Sequence, residues 1–108
     1  MITIDEFKKG EISIGKIISV ELIETSEKLL KLSVDFGEEN PRQVVSGIRK
    51  YFSDPQLLVG TKCAFATNLE PRSLMGLESQ AMILAVSTDT TFSLLHVSDE
   101  IPVGTKVK

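Results

Sequence analysis

The two side chains that most often carry covalent or acid–base chemistry occur once each, as Cys63 and His96. His96 stands inside the apolar segment Phe92 to Val97, where it reads as a strand residue with no chemical role. Cys63, between Lys62 and Ala64-Phe65, reads as a buried structural thiol rather than a nucleophile. One histidine and one cysteine do not close a zinc site without carboxylates, and no ligand spacing is present. The carboxylate pairs Asp5-Glu6, Glu38-Glu39 and Asp99-Glu100 fall in polar turns or at a helix start, where solvation is their ordinary state. Neither a Gly-x-x-x-x-Gly-Lys phosphate loop nor a Gly-x-Gly-x-x-Gly fingerprint occurs. Neither catalysis nor a bound metal or cofactor is expected.

Polar groups gather instead in three segments. Arg42-Gln43-Val44-Val45-Ser46-Gly47-Ile48 sets polar side chains on a strand edge ahead of a glycine. Asn68-Leu69-Glu70-Pro71-Arg72-Ser73 is a turn that carries an amide and a guanidinium. Glu78-Ser79-Gln80-Ala81-Met82 combines donors, acceptors and a soft apolar thioether. Each segment alone is ordinary turn chemistry. Brought together at the mouth of a small barrel, they would form a binding rim.

The elements that must position them are short strands. Thr3-Ile4-Asp5-Glu6 matches a capping box, with Ile2 and Phe7 spaced for a hydrophobic staple and Gly10 ending the turn. Ile12, Ile14, Ile18, Val20 and Leu22 share one parity, which predicts a strand with Gly15 as a bulge or barrel corner. Leu30, Leu32, Val34 and Phe36 alternate with Lys31, Ser33 and Asp35, the signature of a second strand. A turn at Gly37 to Pro41 leads to a third strand, Arg42 to Ile48. Ser53-Asp54-Pro55-Gln56 reads as a second capping box opening a short helix that Gly60 closes. Strands are predicted at Lys62 to Thr67 and Gln80 to Val86, followed by the apolar segment Phe92 to Val97. Three strands, a short helix and two strands is the chain order of an all-β OB-fold, a five-stranded Greek-key barrel.

A chain of 108 residues and 11.9 kDa has room for one domain, residues 1–108. The lone cysteine fits a reducing compartment, no apolar run approaches a membrane span, and Met1 to Glu6 lack the basic and apolar regions of a signal peptide. The cytoplasm is therefore expected. The net charge of −3 and pI near 5.1 disfavour a generic nucleic-acid binder. Basic residues nonetheless gather between positions 28 and 62 (Lys28, Lys31, Arg42, Arg49, Lys50, Lys62), so an anionic ligand would use a local patch. Phe92, Leu94, Leu95, Val97, Ile101, Val103 and Val107 are more apolar surface than a closed five-stranded barrel uses, and a second copy is expected to cover it.

Across nearly its whole length the sequence resembles the tRNA-binding domain at the C-terminus of methionyl-tRNA synthetases and its free-standing, structure-specific relatives. The resemblance is carried by Glu6-Phe7, Ile14-Gly15-Lys16-Ile17, Glu27 to Asp35, Arg42 to Ile48, and Ala66 to Ala85, in that order and spacing. It implies an OB-fold with a C-terminal extension, a homodimer, and recognition of tRNA shape more than sequence, in the service of a synthetase catalytic chain. Lys28, Asn68, Arg72, Ser79, Gln80 and Met82 match motif positions associated with the RNA-binding surface. The chain departs from the family pattern at several places. Ser13 and Met75 stand where a basic residue is common, Thr25-Ser26 replaces a His-Pro pair, and Ala81 replaces a glycine. A second reading, a dimeric protein-interaction module similar to the bacterial secretion-associated chaperones, shares the architecture and suits the acidic pI. Binding of deacylated tRNA as against unfolded polypeptide separates the two.

Overall fold

Strict alternation commits a strand to burying one face, and β2 (Leu30–Asp35) does so. Leu30, Leu32 and Val34 are buried, while Lys31, Ser33 and Asp35 are half-exposed. The computed structural model describes residues 1–108. In it β2 lies antiparallel between β1 (Ile12–Leu22) and β3 (Arg42–Ser46). β1 is long enough to serve two neighbours: Lys16 to Leu22 pair with β2, and Ile12 to Lys16 pair with β4 (Lys62–Ala66). Two short strands, β5 (Arg72–Leu74) and β6 (Leu77–Ser79), form a hairpin before β7 (Met82–Ile83) joins β4. The resulting sheet, ordered β3-β2-β1-β4-β7, is a nearly closed antiparallel barrel of the OB type. No helix is long and apolar enough to cross a membrane.

Several boundaries differ from the sequence expectation, each for a local reason. The register of β1 shifts between Ile17 and Ser19, so the bulge falls at Ile18 rather than at Gly15. Ile17 is therefore fully buried and Ile18 faces outward, the reverse of the parity reading. Gly15 has a different function: a Cβ there would lie 2.6 Å from both the Phe36 ring and a Val34 methyl. The helix expected between β3 and β4 is two single 3-10 turns, Arg49–Tyr51 and Pro55–Leu58. Asp54, not Ser53, caps the second turn, because the Gln56 amide donates across to the Val20 carbonyl (2.9 Å) instead of reaching back. The capping box at Thr3 forms as expected and opens the one-turn helix α1 (Ile4–Phe7).

The expected fifth strand divides at Leu84. β7 pairs with Phe65 and Ala66, but the rest of that edge of β4 is taken by the C-terminal extension. The Leu84 amide still donates to the Ala64 carbonyl (3.1 Å), but the Ala64 amide donates to Leu95 and the Val97 amide donates to Lys62, displacing the chain after Leu84 into a separate hairpin. That hairpin is β8 (Ala85–Ser87) with β9 (Phe92–Leu94). The extension then returns to β1, where Ile14 and Thr105, Gly104 and Ile14, and Val107 and Ile12 are joined by backbone hydrogen bonds of 2.7–2.9 Å. Gly104 has φ +83 and a Cβ on it would sit 2.7 Å from the Phe36 carbonyl oxygen, so only glycine fits this return. Much of the apolar surplus noted in the sequence thus covers the barrel's own flank. Leu94 belongs to the core, and Phe92 packs against it.

The core is one cluster of 14 residues from Ile17 to Leu94, with Phe36 and Phe65 in edge-to-face contact at 5.2 Å between ring centroids. Because Gly15 is what lets Phe36 and Val34 approach β1, Gly15→Ala is expected to lower the unfolding free energy by about 1–3 kcal/mol through overpacking. Urea unfolding of the variant beside the wild type measures it.

Candidate nucleic-acid interface

The edge of β3 that faces away from β2 presents amide groups at Gln43 and Val45 that need partners. The last residue of β6 and the residue after it supply them with side chains. Ser79 Oγ accepts from the Val45 amide (3.0 Å) and donates to the Ala81 carbonyl (2.9 Å). Gln80 Oε1 accepts from the Gln43 amide (2.9 Å), and the Gln80 amide donates to the Gln43 carbonyl (2.8 Å). The Gln43 side-chain amide returns a bond to the Glu78 carbonyl (2.9 Å). This ladder brings two of the three polar segments together. The β5–β6 hairpin adds the third by pairing Arg72 with Ser79.

Between them lies a cleft of about 100 Å³, lined by Val45 and Ser46 of β3, Leu69, Glu70 and Arg72 of the β4–β5 loop and β5, and Met82 of β7. Arg72 and Met82 are exposed at it and neither Arg72 nor Lys28 is in an ion pair, although Glu70 shares the cleft with Arg72. Ser79 also lines it but is buried, its hydroxyl engaged within the fold. Gln80 is exposed with its oxygen engaged, leaving the side-chain amide as its free donor. Asn68 is exposed and donates to the Lys9 carbonyl (2.7 Å), which ties the loop to the residues after α1. Lys28 lies apart, on the β1–β2 loop. Ser26, at the position of the family's proline, accepts from the Lys28 and Leu29 amides (3.1 and 3.2 Å) and so fixes that loop.

Arg42, the most conspicuous cation of its segment, is used for structure. It forks onto Glu38 with two bonds of 2.8 Å, donates to the Thr67 carbonyl (2.8 Å) and the Gln80 carbonyl (3.2 Å), and lies over the Phe36 ring. The guanidinium holds the Glu38 carboxyl below the ordinary glutamate range, and Glu38 raises Arg42 in return. Ser13, where the family often has a basic residue, is buried against Thr67 (3.2 Å) and accepts from Lys106 Nζ (3.2 Å). Cys63 and His96, read from the sequence as having no partner, meet at 3.5 Å (Sγ to Nδ1) on a β-bridge. Burial pushes the Cys63 thiol up, away from the thiolate a nucleophile needs. No group of three or more metal-ligating side chains gathers anywhere in the chain.

Residues 12–106 match the family described as "Putative tRNA binding domain". The chain belongs to this family of tRNA-binding domains. It is 43% identical over 106 residues to methionine–tRNA ligase of Caldanaerobacter subterraneus, an alignment that covers 98% of this chain and 16% of the ligase. The domain thus spans about 16% of the length of the curated relatives it matches. Among solved structures it is similar to a MetRS-related protein from Pyrococcus horikoshii, with a TM-score of 0.92 at 37% identity, covering 100% of this chain and 98% of that one. It is also similar to the chaperone CsaA of Bacillus anthracis, with a TM-score of 0.87 at 26% identity, covering 100% and 99%. The region that the ligases share with this chain is a tRNA-binding accessory domain, distinct from their catalytic domain.

Ser79→Ala removes the hydroxyl that satisfies the buried Val45 amide. The unfolding free energy is expected to fall by about 1–3 kcal/mol, the penalty for a buried donor left unpaired. A urea melt measures the loss, and amide hydrogen exchange should find the Val45 protection selectively reduced.

Proposed function

We propose that this domain binds tRNA as an accessory module, either attached to a methionyl-tRNA synthetase catalytic chain or free-standing. The observation that carries the reading is the convergence of the three polar segments on one cleft that Arg72 lines outside any ion pair. Lys28 and Arg72 meet phosphates, and Met82 gives an apolar contact at the cleft. Asn68 and the free amide of Gln80 donate to ribose or base-edge acceptors. Ser79 acts from beneath, holding β6 against β3 so that these groups keep their spacing. The cytoplasm, where tRNA and reduced thiols both occur, is the compartment this reading requires.

The similarity to CsaA, with the acidic pI, favours a second reading as a polypeptide-binding module. A salt titration with one purified, deacylated tRNA decides between them. With few phosphate contacts, the slope of log K against log salt is expected on the order of −2 to −4. Lys28→Ala and Arg72→Ala should each reduce its magnitude by about one unit. Unchanged affinity and slope in both variants put the site elsewhere, and a wild-type chain that holds unfolded polypeptide but no tRNA supports the second reading.

A homodimer is part of the proposal. Its support is an apolar cleft of about 720 Å³ between α1 and the end of the extension, lined by Ile2, Ile4, Phe7, Ile12 and Val107. Four of these (Ile2, Ile4, Phe7 and Val107) are exposed in the single chain, beside Glu6, Glu11 and Lys106 on the same cleft, an apolar centre with a charged rim for a second copy to cover. Sedimentation equilibrium at micromolar concentration should give twice 11.9 kDa, and a mass of 11.9 kDa rejects the dimer.

A further inference from the structure

Outside the cleft, a set of cations free of ion pairs lies around the first 3-10 turn, Arg49–Tyr51, an element that the sequence pattern does not reveal. Two hydrogen bonds dock the β1–β2 loop on it. The Arg49 amide donates to the Lys28 carbonyl (3.2 Å), and the Arg49 guanidinium donates to the Ser26 carbonyl (2.6 Å). Lys28, Arg49 and Lys50 therefore share one shelf, and none of them is in an ion pair. The shelf continues from β3 itself, since Ser46 at the cleft is only three residues before Arg49.

The shelf carries a packed aromatic cluster. Tyr51 lies parallel to Phe92, with ring centroids 3.9 Å apart and planes 6° from parallel. Phe52 meets Phe92 edge-on at 5.7 Å, and both phenylalanines pack against the core. Phe92 covers one face of the tyrosine, yet Tyr51 remains 43% exposed, with Lys50 Nζ over its ring at 5.1 Å from the centroid. A ring held flat by a half-buried neighbour, with a lysine over its ring, loses little conformational freedom when a planar ligand stacks on it. The ammonium is then placed for that ligand's phosphate. Apolar packing alone would not require the outer ring to be exposed with an unpaired lysine over it.

We infer that Tyr51 is a stacking platform for an unpaired base of the bound RNA, with Lys50 and Lys28 taking the flanking phosphates. The inference rests on the tRNA-binding reading and extends its surface from the cleft to the opposite side of β3's end. Unpaired bases in loops and ends of tRNA are the groups that aromatic side chains reach, since paired bases are already stacked.

The chain has one tyrosine and no tryptophan, so its intrinsic fluorescence reports on Tyr51 alone. Saturating the wild type with deacylated tRNA, or with a short oligouridylate, should quench that emission beyond the inner-filter loss measured on free tyrosine amide. Tyr51→Leu should weaken tRNA binding by about 5- to 100-fold, the range for losing one base stack, while Tyr51→Phe stays within about twofold. Lys50→Ala should reduce the salt slope by about one unit. Thermal melts of all three variants report whether they remain folded, and the quenching needs no variant. If tRNA binds while Tyr51 emission is unchanged and Tyr51→Leu keeps full affinity, the platform is overturned and the tRNA-binding reading stands. If the wild type binds no tRNA, both fall. Quenching by a reduced, carboxymethylated polypeptide but not by oligouridylate also overturns the platform.

Discussion

The outward amides of Gln43 and Val45 impose the constraint on which the rest of the interface depends. A five-stranded sheet closes into a barrel only if its two edges find each other, and here β7, two residues long, forms no ladder with β3. Side chains complete what backbone does not. The Ser79 hydroxyl and the Gln80 amide oxygen stand in for carbonyl groups along the β3 edge, and Arg42 bridges the same seam to Thr67. The β5–β6 hairpin is fixed by this closure, and so is the cleft beneath it. The polar residues of Glu78-Ser79-Gln80 are thus as much a part of the barrel as of any surface that meets a ligand.

Charge is divided in the same way. Lys31 pairs with Glu21, Arg42 with Glu38, and Lys106 with Glu11, while Lys62 donates to the Asp99 and Ile101 carbonyls. Lys106, with help from Thr67, holds the Glu11 carboxyl below the ordinary glutamate range, as Arg42 does for Glu38. Such carboxylates contribute stability above their unfolded values and lose it as pH falls through their lower folded ones. These cations fasten loops and the extension. The cations outside those pairs include Lys28, Arg49, Lys50 and Arg72, all on the β3 side of the molecule near its cleft and shelf. A net charge of −3 is an average over two populations of charge with separate uses.

The alternation in Leu30 to Asp35 and the capping box at Thr3 were legible because each depends on residues adjacent in sequence. The bulge at Ile18 was not, since register is a property of the strand pair: Ile17 and Ile18 are chemically equal, and only the position of Val34 selects which is buried. The same holds for the break at Leu84, where a run of apolar residues gives no sign that Leu95 and Val97 take over the edge of β4. At the candidate site the residue types were legible and their partners were not. Ser79 and Arg42 stand in polar segments like Gln80 and Arg72, yet one pair faces inward to backbone groups and the other remains exposed. The proximity of Cys63 and His96, 33 residues apart, likewise exists only in the folded chain.

The return of residues 104–107 to β1 has a temporal side. β1 is made about 93 residues before its final neighbours, Thr105 and Val107. Until then the backbone groups of Ile12 and Ile14 that bond this segment, and the flank of the barrel beside Phe36, have no permanent cover. Contacts of such sequence separation form slowly, because loop closure precedes any gain from them. Until residues 104–107 are made, the barrel therefore has one open seam, and the seam closes at Gly104, which lets the chain turn tightly against Phe36.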